Sequence, residues 1–157
     1  MRPHVVRNLC TLASFGMALA IPFGVHAQEA EPHPAAEYRQ SLMQGLRSHT
    51  GALRALLGGD VTYEGHVVHH AEAVQGIATM ALNAFPEATG GEGSRAMDAI
   101  WENWDDFLTK ARALKDGADA LAAAASSGDM AAVDEAMSAV GGSCRGCHTD
   151  YRAPANE

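Results

Sequence analysis

Cysteine is scarce in this sequence, three residues in 157, and the first, Cys10, lies in an N-terminal segment that export would remove. A bridge between the other two, Cys144 and Cys147, would close so short a loop that it would constrain little. Aromatic residues are only 6% of the chain. Runs of β-branched residues are few, and no convincing alternation of apolar and polar positions occurs. A sheet-based core is therefore not expected, and the alanine-rich apolar set favours closely packed helices. Basic residues are in deficit as well, 11 Lys and Arg against 19 Asp and Glu. That makes nucleic acid and anionic lipid poor partners, and most of the acidic charge reads as solvated surface. At 157 residues the chain is long enough for one domain with a real core.

The first 27 residues read as a signal peptide. Arg2 and Arg7 form a basic start, Leu9 to Val25 is mostly apolar, and Val25-His26-Ala27 supplies a small-x-small cleavage pattern. The apolar stretch is short for a membrane span and is interrupted by Pro22, so no membrane association is expected after cleavage. Cleavage would remove Arg2, Arg7 and no acid, taking the formal charge from -8 to -10. The expected location is the periplasm. Residues 28–35, with two prolines and two acids, read as a flexible leader, and 36–157 as the folded domain.

The domain reads as all-α, an antiparallel up-down-up-down four-helix bundle. The first helix is expected over 36–57, with Leu42, Leu46, His49, Leu53 and Leu56 on one stripe and Gly58-Gly59-Asp60 as its stop. The second is expected over 62–85, carrying Val67, Ala71, Val74, Ala78, Ala81 and Phe85, and is stopped by Pro86 and the glycines after it. The third is expected to open near Ser94, with Met97, Ile100, Trp104, Phe107, Ala111, Leu114, Ala118 and Leu121 in 3,4 spacing. The fourth starts near Asp129, and its stripe is Met130, Val133, Met137, Val140, Cys144, Cys147 and Tyr151. Both cysteines thus fall on a core-facing seam.

The stretch Cys144-Arg-Gly-Cys147-His148 carries the chemistry. Thiols at i and i+3 on a helix share one face about one turn apart. That spacing suits two additions across the vinyl groups of a single haem, with His148 placed to bind iron. C-x-x-C-H is the sequence sign of c-type haem attachment, and export agrees with it. A thioredoxin-like redox pair would need a βαβ context that is missing. A zinc site would need two further ligands at suitable spacing. One motif implies one covalently attached haem c, with Cys144, Cys147 and His148 as its residues and His148 as an iron ligand.

No methionine follows His148, so a sulfur ligand for the other face of the iron must come from upstream. In an up-down-up-down bundle Met43, Met80 and Met97 share the level of His148, whereas Met130 lies at the far end and Met137 is on the motif's own helix. Met43, on a helix expected to pack beside the fourth, is the best placed. Met80 and Met97 read as core filler.

A single C-x-x-C-H near the C-terminus of an exported four-helix protein resembles the class II c-type cytochromes, the cytochrome c′ family. "YRQSLM" (Tyr38 to Met43), "IWENWDDF" (Ile100 to Phe107) and "VGGSCRGCHTDYR" (Val140 to Arg152) look like family segments. The resemblance implies that Arg39 lies near a haem propionate. It also implies that the position four residues on, Met43, faces the open side of the iron. A binding methionine there points to the low-spin branch and to a periplasmic electron carrier with His148 and Met43 as ligands, meeting periplasmic redox partner proteins. The alternative is a five-coordinate, high-spin protein that binds nitric oxide or another small gas. A haem peroxidase is less supported, because no acid–base group is evident beside Met43. Neither main reading is an enzyme. Phe85, Trp104 and Phe107 are candidates to border the haem, Tyr151 and Arg152 to pack at its face, and Trp101 to sit at an interface or the helix surface. Relatives that pair through their first two helices make a homodimer an expectation. His66, His69 and His70, with Glu72 nearby, read as a solvated patch, since no fuller ligand set is visible.

Overall fold

The computed structural model describes residues 33–155, apart from 88 and 92. The expected signal peptide and the leader up to residue 32 lie outside the described residues. Five helices follow in order: α1 (Pro34–Leu57), α2 (His66–Ala81), α3 (Ala99–Glu102), α4 (Trp104–Ser127) and α5 (Met130–Tyr151). The long ones, α1, α2, α4 and α5, form the antiparallel up-down-up-down four-helix bundle, and α3 is a single turn. None of the described helices is long and apolar enough to cross a membrane.

The helix ends follow local chemistry. Pro34 and Ala35, read as leader, already belong to α1. Proline suits the first helical position because its missing N–H is not needed there, and the His33 ring accepts the Ala35 N–H at 3.1 Å. At the other end Gly59 takes the left-handed conformation, φ +76°. That lets the Asp60 N–H return to the Ala55 carbonyl at 3.0 Å and stop the helix. Gly128, φ +75°, ends α4. The Asp129 carboxylate then accepts from the Ala131 and Ala132 N–H groups to start α5.

Two elements depart from the sequence expectation. α2 is shorter than 62–85: it begins after Gly65, whose φ of +76° no helix can contain, and ends at Ala81 in tight turns before Pro86. The third helix does not open at Ser94. The backbone of 95–97 instead lies against the end of α5, with Met97 N–H donating to the Tyr151 carbonyl at 3.1 Å, Ala153 N–H to the Arg95 carbonyl at 2.9 Å, and an antiparallel bridge between Ala96 and Arg152. These long-range partners take the groups that helix propagation would have used. Helix then begins at Ala99, breaks at Asn103 (φ -125°, ψ 47°) and restarts as α4.

The bundle core runs through Leu53, Val74, Ala118, Leu121, Val133 and Val140, all fully buried. A second cluster of Ile100, Phe107 and Tyr151 sits where α3 and α4 meet the end of α5. α1 packs on α2, α2 on α4, and α4 on α5, but the backbones of α1 and α5 have no comparable contact. The first and last helices therefore do not pack closely beside one another as expected. They face each other across a cavity.

Candidate functional site

That cavity has a volume of about 640 Å³. α5 contributes Cys144, Cys147, His148 and Tyr151. α1 contributes Arg39, Met43 and Leu46 from the opposite wall. Phe85 comes from the connection after α2, Ile100 from α3, and Phe107, Ala111 and Leu114 from α4. The lining is largely apolar, with charge at its edge.

The reason the motif opens into this space is helical geometry. Cys144, Cys147 and Tyr151 continue the 3,4 seam that buries Val133, Met137 and Val140 higher on α5. Where α1 stands away, the seam meets a cavity instead of a neighbouring helix. Both thiols are half-buried and unbridged. Burial raises the Cys144 pKa and pushes Cys147 up to about 11, so neither is poised as a reactive thiolate. His148 is half-buried too. Burial first, then the charges of Arg152 and Arg95, lower its pKa, which keeps the imidazole neutral and able to ligate metal at neutral pH. Gly141 and Gly142, just above, do not line the cavity, and α5 runs through them without a break.

Met43 is half-buried on the opposite wall. Met80 and Met97 do not line the cavity. They are not core filler either, being 45% and 39% exposed; the Met80 sulfur faces the Tyr38 hydroxyl at 3.8 Å. Geometry thus leaves Met43 as the methionine of this site.

Arg39 is buried, 4% exposed, and its role is broader than the sequence suggested. Nη1 donates to the Ala84 carbonyl at 3.2 Å and Thr89 Oγ1 at 3.1 Å. Nη2 donates to the Thr89 carbonyl at 2.9 Å and Ser94 Oγ at 3.0 Å. The guanidinium also lies over the Phe85 ring, 4.8 Å from its centroid. Four of its five N–H donors therefore hold the connection between α2 and α3 over the cavity, which leaves only Nε–H for an anion such as a propionate.

Phe85, Phe107 and Tyr151 are brought together at the cavity. Phe85 and Phe107 meet edge to face at 4.7 Å, and Phe107 and Tyr151 at 5.4 Å. The Tyr151 hydroxyl donates to Asp106 at 2.6 Å. Arg152 lines the rim. Trp104 is not among the residues that line the cavity: its ring is tilted by 31° to that of Phe107 at 5.5 Å, and it is 37% exposed. Trp101, expected at an interface or the helix surface, is half-buried against the Ile100 cluster and donates to the Pro86 carbonyl at 3.1 Å. Sequence reasoning missed Arg47, Arg95 and Lys110, which with Arg39 and Arg152 put five cations around the cavity of an acidic chain. Lys110 is paired there with Asp150 at 3.1 Å. The signal was present in Arg47 and Lys110, each one helical turn beyond a wall residue, Met43 and Phe107.

The histidines are not simply a solvated patch. His70 reaches across to α1, where its Nδ1 lies 2.9 Å from Nδ1 of His49. Burial, then the charges of His49, His66 and His69, lower its pKa. His69 faces Glu72 at the surface.

The arrangement fits a covalently attached haem. Two free thiols one turn apart, a neutral imidazole directly behind them and an apolar cavity all face one another, and nothing in the donor set competes. Comparison with known proteins agrees. The family model described as Cytochrome C′ matches residues 34–152. A cytochrome c′ from Pararhodospirillum photometricum is 36% identical over 124 residues, covering 78% of this chain and 99% of the relative. A cytochrome c-556 from Agrobacterium tumefaciens is 42% identical over 119 residues, covering 74% and 94%. A nitric oxide complex of a mutant cytochrome c prime from Alcaligenes xylosoxidans superposes with a TM-score of 0.74 at 31% identity, covering 80% and 98%. With its motif on the last helix, its cavity between the first and the last, and nearly all of its helical domain matched, the chain belongs to the cytochrome c′ family and takes that family's cofactor, haem c.

Proposed function

We propose that this protein is an exported, periplasmic, single-haem cytochrome that receives a small diatomic gas such as nitric oxide on the side of the iron opposite His148. Cys144 and Cys147 would hold the haem covalently, each thiol S–H adding across one vinyl group with no oxidant and no leaving group needed. His148 would supply the nitrogen ligand, and Phe85, Phe107 and Tyr151 on the lining would keep water from it. The bound haem supplies an iron that changes oxidation state and accepts a diatomic ligand. The observation that carries this reading is the wall opposite His148. α1 lines it with Met43 and Leu46 together with Arg39, Gln40, Gln44 and Arg47, and the described lining holds no second histidine and no carboxylate. The nitric oxide complex among the matched structures favours the same reading, and the relatives' names do not select the methionine-ligated branch.

One observation supports a second reading. Met43 lies on that same wall, and a thioether bound opposite an imidazole would make the protein an electron carrier with a raised reduction potential. The test is the ferric absorption and paramagnetic resonance spectrum of the wild type and of Met43→Ala. A high-spin wild type, unchanged by the substitution and converted by nitric oxide, supports gas binding. A low-spin wild type that becomes high-spin in Met43→Ala overturns it in favour of electron transfer. Pairing into a homodimer and docking with periplasmic redox partners belong to the same proposal.

A further inference from the structure

The contact between His49 and His70 has no part in the haem site. None of His49, His66 and His70 lines the cavity. His70 lies eleven residues before Ala81, the cavity residue of α2, or about 16 Å along the helix at about 1.5 Å per residue. As a hydrogen bond, the Nδ1–Nδ1 contact needs one ring protonated at Nδ1 and the other bare. With both nitrogens bare, the same two atoms are close enough to share one cation. Two nitrogens at about 2.05 Å from a metal stand about 2.9 Å apart in a tetragonal copper site and about 3.3 Å apart at the tetrahedral angle of zinc, and the observed separation is 2.9 Å. The ring planes are tilted by 55° with centroids 5.1 Å apart, so the two nitrogens face each other almost head-on, and a turn of the rings would aim both at a cation beside them. His66, one turn before His70, presents its ring edge-on at 6.3 Å. It is exposed, with Tyr63 stacked on it at 5.0 Å.

We propose that His49 and His70 form a bis-imidazole site for a divalent transition cation of the zinc or copper class, with His66 as the third donor after rotation of its exposed side chain. Among the described residues no three His, Cys, Asp or Glu side chains already converge on one point; the fold brings the two facing nitrogens together, and water completes the shell. Imidazole is a suitable ligand for zinc and copper. The site would tie α1 to α2 through side chains alone, away from the haem.

The test uses the mature, haem-loaded protein titrated with Zn²⁺ by calorimetry, with Cu²⁺ paramagnetic resonance counting the coordinated nitrogens. One equivalent of Zn²⁺ is expected. His49→Gln and His70→Gln should each weaken it by at least about tenfold, His66→Gln by less, and His69→Gln, whose ring faces Glu72 instead, by under about twofold. Binding that is equally tight in His49→Gln and His70→Gln, or less than one equivalent in the wild type, overturns the proposal. If a variant fails to fold, the wild-type histidine ring resonances decide: those of His49 and His70 must shift together with added Zn²⁺, and a shift confined to other histidines overturns the proposal.

Discussion

Replacing Arg39 by alanine removes the clamp on the connection that carries Phe85. Four charged hydrogen bonds of 2.9–3.2 Å are lost, and each such bond contributes about 1.5–3 kcal/mol net when taken alone. The sum overstates the loss, because burying a guanidinium costs several kcal/mol that the variant recovers. The orphaned carbonyls of Ala84 and Thr89 also regain water once the segment opens. We expect a loss near ~3 kcal/mol, within the range for breaking a buried charged network. That corresponds to a fall in Tm of about 10–15 °C for a domain of this size. Lysine at 39 keeps the charge but not the planar fork and should recover less than about half of the loss. Urea unfolding of the haem-loaded protein measures both variants, and a double-mutant cycle with Ser94→Ala isolates one bond of the set. A change below about 0.5 kcal/mol in Arg39→Ala, or full rescue by lysine, would refute the reasoning.

Leu53 is fully buried between the helices, and Leu53→Ala should cost about 3 kcal/mol in urea unfolding without moving the haem spectrum. The Tyr151 pKa is raised to about 12, first by its hydrogen bond to Asp106 and then by burial. Its contribution to stability is therefore complete below about pH 10, the ordinary phenol value, and is lost as pH rises through about 12. A late tyrosine transition in the alkaline ultraviolet titration should move to lower pH in Asp106→Asn; an unmoved transition sinks this account. Trp104→Ala should leave the visible spectrum of the haem unchanged, whereas Phe107→Ala, on the cavity wall, should shift it. An equal shift in both would place Trp104 back in the site.

Much of the fold was legible because its signals are local. Caps, glycines past helix ends and 3,4 repeats act within a turn or two of chain, which is why α1, α5 and the end of α4 lie close to where pattern places them. Helix three was misread at its start because residues 95–97 hydrogen-bond to residues near 151–153. No window of neighbouring residues contains that pairing. The same misreading placed Trp104 on the cavity wall, since an unbroken 3,4 stripe takes no account of the turn at Asn103.

The sequence by itself determined the attachment chemistry of this protein. Two thiols and an imidazole within five residues of one helix share a face by helical geometry alone, whatever else the chain does. Only the tertiary structure decided what stands across from them. The gap between α1 and α5, the use of Arg39 on a distant loop and the meeting of His49 with His70 all depend on the register between helices. That register is set by side-chain packing across the bundle, a property no local spacing encodes.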